Sequence, residues 1–354
     1  MVSVLKDVAL FVSSNTKEET MESFNLDGPA AFVIPHWSQG SAMERKWLDE
    51  TLEKIKLQTD PNWVILIGDG NSPSSEAKDY LRKLEKEYNG KMKIIFMDHS
   101  DGPGHARNLC IQYAYKKKYP FIVFIDADDL THPWRVEVTR GIFKKNPKTG
   151  VVYSTFNVID ENGVPTPYSQ CSQSIVEILE AHSDPPEGPE AWISICSEAG
   201  YVNLTSTTSV LTPIAKNIPF PGEKASEDYY AWLCYSASGA EFAFTPLTPT
   251  NYRIPRNTQG SASRSREGGK SKFYETKCRV DAAGVEAAIV LATQRGVIDA
   301  KKAADIRAKF YVKEAVTMFR EKEMGLAKMC VENALKHNAS LAGPMIKEKG
   351  LDKI

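Results

Sequence analysis

Four short apolar runs constrain the fold more than any other feature of this chain. They are Ala30-Ala31-Phe32-Val33-Ile34, Trp63-Val64-Ile65-Leu66-Ile67, Lys93-Ile94-Ile95-Phe96-Met97 and Phe121-Ile122-Val123-Phe124-Ile125. Each is rich in β-branched or aromatic residues and bounded by polar or turn residues. Each reads as a strand buried on both faces, as in a mostly parallel sheet. The stretches between them have helical spacing. Residues 43–58 place Trp47, Leu48, Leu52 and Ile55 on one face, and residues 74–88 do the same with Tyr80, Leu81, Leu84 and Tyr88. A third helix is predicted over about 105–118. Strand and helix thus alternate three times in 125 residues, which predicts a Rossmann-like α/β fold with helices flanking the sheet. No Gly-x-Gly-x-x-Gly follows the first strand and no P-loop pattern is present. A dinucleotide dehydrogenase or P-loop NTPase is therefore disfavoured.

The fourth run ends in Asp126-Ala127-Asp128-Asp129. Carboxylates at the end of a buried strand need water, a cation or donor groups. In open α/β sheets, ligands bind beyond the carboxyl ends of the strands. Asp126 and Asp128 are two apart and point the same way in extended chain. They make a hard-oxygen pair suited to Mg²⁺ or Mn²⁺, with phosphate oxygens completing the shell. Asp129 points away and reads as support. An acidic turn into the next helix, capped by Thr131 with Pro133 at its first position, is compatible with the same residues.

After a helix to about 146, residues 150–159 form another predicted strand. Residues 160–190 are rich in Pro, Ser and Gly, with one short helix around 175–179. Residues 201–211 are apolar and hydroxyl-rich and receive no element. Ser226-Glu227-Asp228 precedes a helix over 229–238 carrying Trp232, and residues 241–252 read as a closing strand. Residues 253–272 carry Arg253, Arg256, Arg264, Arg266, Lys270 and Lys272. This is either a solvated linker or a basic lid over a diphosphate. Helices are predicted over 273–295, 299–322 and 324–338.

The 354 residues are 42% hydrophobic, ample for a large core, and the formal net charge of −1 argues against a nucleic-acid partner. The six cysteines (110, 171, 196, 234, 278, 330) are scattered and lack metal-ligand spacing. No apolar stretch reaches bilayer length, and no signal peptide is legible at the N-terminus. The expected setting is cytoplasmic, with peripheral association at the inner face of a membrane left open.

Taken in order, several short motifs resemble the family 2 glycosyltransferases, which have the GT-A fold. They are Pro35-His36-Trp37-Ser38 after the first strand and Asp69-Gly70-Asn71-Ser72 after the second. Gly102-Pro103-Gly104-His105-Ala106-Arg107-Asn108 precedes the fourth strand. Asp126-Ala127-Asp128, Glu227-Asp228 before a Trp-bearing helix, and Tyr252-Arg253 complete the set. Two departures stand out. Gly70 replaces the second aspartate of the base-holding turn, and His36-Trp37 replaces small polar and Tyr residues. The Gln-x-x-Arg-Trp motif of membrane-embedded processive synthases is absent.

The resemblance implies a non-processive, inverting transferase that moves a sugar from a nucleotide-sugar donor, with uracil the commonest base, to a hydroxyl of a glycan or lipid-linked glycan. It implies Asp228 as general base. Pro35, His36, Asp69, Arg107, Asp126, Ala127 and Asp128 would lie on the nucleotide side. Asp128 and Asp126 would hold Mn²⁺ or Mg²⁺. Glu227, Trp232 and Arg253 would support the acceptor side, although Trp37 and Trp232 read by themselves as core or pocket wall. His36, His105 and His132 receive no metal or proton-transfer role. The implied organisation is an extension over 1–28, a GT-A domain over 29–262, and a basic loop with a C-terminal helical subdomain over 263–354, the helices offering an acceptor platform or a homo-oligomer interface. A nucleotidyltransferase-like sugar-nucleotide enzyme and a catalytically inert GT-A binding or assembly module remain alternatives at this point.

Overall fold

The computed structural model describes residues 24–99, 101–256 and 268–354. Its frame is a seven-stranded sheet of β1 (Ala30–His36), β2 (Trp63–Asp69), β3 (Met92–Phe96), β4 (Phe121–Phe124), β5 (Thr149–Ile159), β6 (Thr208–Leu211) and β7 (Glu241–Arg253). Across the sheet they run β3-β2-β1-β4-β6-β5-β7. β1 is parallel to β2 and β4, and β2 is parallel to β3. β6 is antiparallel to both β4 and β5, and β7 is parallel to β5. The order reverses beside β1 and β4, so their carboxyl ends face the crevice where such sheets bind ligands.

Strand alternation feeds two cores. Ala30, Phe32 and Ile34 of β1, with Phe121 and Val123 of β4, pack on one face. There they meet Leu48, Leu52 and Ile55 of α1 (Ala42–Lys56), Leu81 and Leu84 of α2 (Ser75–Glu87), and Val136 and Phe143. Ala31, Val33, Ile122 and Phe124 face the other way, toward Cys110 and Ile111 of α3 (Pro103–Lys116). The helix carrying Val136 and Phe143 is α4 (Arg135–Lys145). Two short helices, α5 (Gln173–Ala181) and α6 (Ala191–Ser194), precede β6, and α7 (Thr212–Asn217) follows it. α8 (Glu227–Ala237) carries Trp232 into the second core.

The chain ends in α9 (Lys270–Gln294), α10 (Ala300–Arg320) and α11 (Met324–Glu348). Val285, Ala288 and Ile289 of α9 and Ile306 and Phe310 of α10 share one buried cluster with Trp232. α11 extends past the expected end near 338 by kinking at Asn338, where φ is −157° and ψ is 91°. The Asn338 side chain accepts from Leu341 N at 3.1 Å, which restarts the helix. No helix among the described residues is long and apolar enough to cross a membrane.

Three local expectations change. β4 stops at Phe124, so Asp126 and Asp128 lie in a turn, closed by Asp129 N donating to Asp126 O at 3.2 Å, rather than in extended chain. Thr131 does not cap α4. Its Oγ1 is buried without a partner, and Trp134 is the cap residue, with no side-chain bond. His132 builds the entry instead: its carbonyl accepts from Arg135 N at 3.0 Å and its Nδ1 from Trp134 N at 3.2 Å. The hydroxyl-rich segment supplies β6. Its polar side chains are tolerated inside because Asn203 donates to Thr208 Oγ1 at 2.7 Å and Arg135 to Ser209 Oγ at 3.2 Å.

Candidate active site

The crevice is built from turns at the ends of β1, β2 and β4, the first turn of α3, and the first turn of α8. At the first of these, His36 and Asp69 are register partners on β1 and β2. His36 Nδ1 lies 2.8 Å from Asp69 Oδ1, and Ser72 N donates to Oδ2 at 3.1 Å. Burial pushes the Asp69 carboxyl up, but the bonds from His36 and Ser72 outweigh it and hold the group below its ordinary value. Asp69 is fully buried and His36 9% exposed. Their side chains therefore lock the β1 and β2 turns together. Pro35 is half-buried beside them, whereas Trp37 is 50% exposed, neither core nor closed wall.

The Asp126–Asp129 turn is held from behind. Ser206 Oγ accepts from Asp126 N at 2.9 Å. Thr51 Oγ1 of α1 donates to Ala127 O at 3.1 Å and Asp129 O at 2.9 Å. Arg253 at the end of β7 has a fully buried side chain. Its Nε donates to Asp128 O at 2.7 Å, its Nη2 to Glu50 Oε2 at 2.7 Å, and its backbone N to Asp129 Oδ1 at 2.8 Å. Arg253 thus supports the Asp126–Asp129 turn, and Asp129 is a buried anchor. The other Asp129 oxygen is buried without a partner, and burial together with Asp128 and Asp126 raises its pKa well above the ordinary value.

Arg107, on the first turns of α3, joins the two halves of the crevice. Nη2 donates to Asp126 Oδ1 and Nη1 to Glu227 Oε1, both at 2.8 Å. Two close approaches put it there. A Cβ on Gly104 would come within 3.0 Å of Phe220 and 3.1 Å of Glu227, and one on Gly68 within 2.7 Å of Ala106 O. Only glycine lets α3 lie that close to β2 and to the loop before α8. Asn108 clamps the same loop, donating to Phe220 O at 2.8 Å and accepting from Phe220 N at 2.9 Å. The Gly102-Pro103-Gly104-His105-Ala106-Arg107-Asn108 stretch is therefore a junction of three segments.

Asp228 follows Glu227 on α8 and is part-buried. Burial, reinforced by Glu227, pushes its carboxyl up to about 7, with Arg107 pulling the other way. Thr205 Oγ1 donates to Oδ2 at 3.2 Å and Tyr229 N to Oδ1 at 2.8 Å. A carboxyl poised near neutrality accepts a proton efficiently. Trp232, expected toward the acceptor, is 1% exposed and packs against Phe124, Phe220 and Tyr235. Its place on α8 turns it to the sheet, so it is core and not an acceptor wall.

Several supporting residues were not foreseen. Ser206 and Thr205 sit in the segment given no element. Arg135 is 1% exposed and donates to Ser206 O at 3.1 Å, behind Asp126. Ser226, before Glu227, has φ +60°, a left-handed conformation costly for a side-chain-bearing residue. Tyr201 O–H donates to Ser226 Oγ at 2.8 Å and lies 3.2 Å from Asp281 Oδ1 on α9. Lys277 pairs with Asp281 and, at 3.1 Å, with Glu314 of α10. The C-terminal helices therefore brace the turn that presents Asp228. No sequence pattern flags this, because the partners are about 80 residues apart. Of the basic segment, Arg256 pairs with Asp160 at 2.8 Å and Lys270 with Glu321 at 3.1 Å. Arg264 and Arg266 lie outside the described residues.

These features agree with known proteins. The family model described as glycosyl transferase family 2 matches residues 40–196. An uncharacterized glycosyltransferase of Methanocaldococcus jannaschii is 32% identical over 236 residues, spanning 66% of this chain and 74% of that protein. Among solved structures, S. aureus TarS 1-349 in complex with UDP-GlcNAc superposes with a TM-score of 0.58 at 16% identity, covering 87% of this chain and 81% of TarS. The mannosyltransferase PcManGT from Pyrobaculum calidifontis, in complex with GDP-Man and Mn²⁺, gives a TM-score of 0.53 at 10% identity, covering 100% of this chain and 88% of that one. With the motifs in family order along a sheet of matching architecture, this chain belongs to glycosyltransferase family 2 and adopts the GT-A fold.

Proposed function

We propose that this glycosyltransferase is metal-dependent and inverting, taking its sugar from a nucleotide-diphosphate sugar with UDP as the carrier, and giving it to a hydroxyl of a glycan or lipid-linked glycan. One observation carries the reading: a single buried arginine ties Asp126 to Glu227, next to a carboxyl raised to about 7. That brings a candidate donor half and a candidate acceptor half to one crevice.

Asp126 and Asp128 offer oxygen ligands only, in a turn anchored by buried Asp129, whose Oδ1 accepts from Arg253 N at 2.8 Å. This donor set fits Mn²⁺ or Mg²⁺. A divalent cation held there with diphosphate oxygens would supply Lewis-acid stabilisation of the leaving group. Asp228 accepts the proton of the acceptor hydroxyl as its oxygen bonds to the anomeric carbon and the bond to the diphosphate breaks. One base on the face opposite the leaving group gives inversion, with no covalent carboxylate. Arg107 pairs with both Asp126 and Glu227, and Trp37 offers an exposed ring for a nucleobase. The fold neighbours named above carry UDP and GDP sugars, which supports a nucleotide donor without choosing its base.

The test is nucleotide binding followed by product analysis. UDP should raise the thermal transition more than GDP or dTDP, only with Mn²⁺ or Mg²⁺, and Asp128→Ala should remove the metal dependence. The product anomer by NMR should be opposite to that of the donor. Equal UDP affinity with and without metal, or a retained anomer, contradicts the proposal.

A further inference from the structure

The connection from β3 to α3 carries a second set of ligand atoms. His99 Nε2 lies 2.8 Å from Asp101 Oδ2, and His105 Nδ1 lies 3.1 Å from the same oxygen. All three ligand atoms fall within 4.8 Å of one another, and no other such His, Cys, Asp or Glu group occurs among the described residues. The two rings stand 5.4 Å apart, tilted by 50°. A four-coordinate metal with bonds of about 2.0–2.1 Å spaces its ligand atoms by roughly 3.3 Å. Two of the three ligand-atom pairs, at 2.8 and 3.1 Å, are already near that spacing.

A second observation points the same way. His105 Nδ1 is shut off from water and makes no hydrogen bond, although a carboxylate oxygen is 3.1 Å away. Leaving a buried polar atom unmatched costs roughly 1–3 kcal/mol. A cation between the imidazole nitrogens and the carboxylate would satisfy all three at once. The site opens to solvent, since His99 is 65% and Asp101 50% exposed while His105 is 29% exposed. A fourth position is thereby left to water.

We propose that His99, Asp101 and His105 bind a divalent transition metal of the Zn²⁺ class, at a site separate from the Asp126–Asp129 turn. The ligand chemistry sorts the two sites. Two imidazoles with one carboxylate favour Zn²⁺, Co²⁺ or Ni²⁺, whereas the all-oxygen turn favours Mg²⁺ or Mn²⁺. The metal would clamp the connection onto the first turn of α3, two residues before Arg107. The same connection is tied to the β2 turn by Asn71 Nδ2 donating to Asp98 O at 3.0 Å. Metal here would therefore stiffen one lip of the crevice.

The experiment uses the full-length chain without an affinity tag, stripped with chelator and titrated by calorimetry with Zn²⁺ alone, no nucleotide present. The wild type and Asp128→Ala should bind one Zn²⁺ with equal affinity. His99→Ala and His105→Ala should each weaken binding by about 100-fold or more, beyond the 10–100-fold typical of losing an outer-shell partner. Co²⁺ should give the intense visible absorption of a low-coordinate nitrogen and oxygen site in wild type and Asp128→Ala, but not in His105→Ala. The proposal is overturned if the wild type binds no Zn²⁺, or if both histidine variants stay within about threefold of it. It is also overturned if Asp128→Ala alone loses the site. Because the Asp128 arm reads the other turn, failure here leaves the proposed transfer chemistry to be judged separately.

Discussion

Replacing Arg107 with Met should be the most damaging single change in the crevice. Arg107 is 3% exposed, the Glu227 side chain 8% and the Asp126 side chain 33%. The substitution keeps most of the aliphatic stem and removes the cation. Asp126 is open enough to be rehydrated, so its lost ion pair contributes little. Glu227 is not, and it becomes a buried carboxylate without a partner. Deleting one member of a buried pair costs roughly 3–5 kcal/mol, and with one of the two carboxylates relieved by water we expect about 3 kcal/mol. Adding Glu227→Gln removes the stranded charge, so the double variant should recover most of that loss. Arg107 also pulls the Asp228 carboxyl down, so its removal should move the acid limb of activity upward in pH. The assay is urea unfolding of the wild type, both single variants and the double. A loss below about 1 kcal/mol for Arg107→Met, or a double variant no more stable than the single, would refute the ion-pair account.

Activity and stability should respond to pH in opposite directions. With the Asp228 carboxyl near 7, kcat/KM should rise as pH increases through about 7, as the base ionises. Because this folded-state value is raised, its stabilising contribution is complete below the unfolded value of 3.8 and lost as pH rises through about 7. Buried Asp281, pushed up to about 6, acts with the same sign; a pH–rate profile and melting curves across that range check both. Trp232→Ala should cost about 3–5 kcal/mol by urea unfolding, while the folded fraction keeps its acceptor KM. Tyr201→Phe removes the hydroxyl that reaches Ser226 but leaves the ring stacked on Tyr229 at 4.4 Å. It should cost about 1 kcal/mol and lower kcat at unchanged donor affinity, as measured by unfolding and steady-state kinetics.

The sheet was legible because β1, β2 and β4 are buried on both faces and edge strand β3 buries Met92 and Ile94 on one, so all four appear as apolar runs that need no context. β6 was not, since Thr208 and Ser209 depend for burial on a local bond from Asn203 and on Arg135, which is 74 residues away. Asp126 and Arg107 were legible from their motifs, but their direct pairing was not. The extended-chain argument for Asp126 and Asp128 failed because hydrogen bonds from Thr51 and Arg253 hold a turn there. The Asp69–His36 pair was not legible for a similar reason: its two members sit on neighbouring strands, 33 residues apart. The brace through Tyr201, Ser226 and Asp281 joins segments with no shared motif. Trp232 shows the limit of reading by neighbourhood, since a residue four positions after Asp228 on α8 can face the sheet.

The measurement closest to the central claim is donor binding and transfer compared in Asp228→Asn. The substitution keeps the size of the side chain, lets the amide oxygen accept from Tyr229 N and the amide nitrogen donate to the Thr205 hydroxyl, and removes the base. Sugar transfer should fall by roughly 10²–10⁴-fold, while UDP-sugar affinity measured with Mn²⁺ stays within about threefold of the wild type. Transfer retained within about tenfold of the wild type, or donor binding lost together with transfer, would contradict the assignment of Asp126 and Asp128 to the donor and Asp228 to the acceptor.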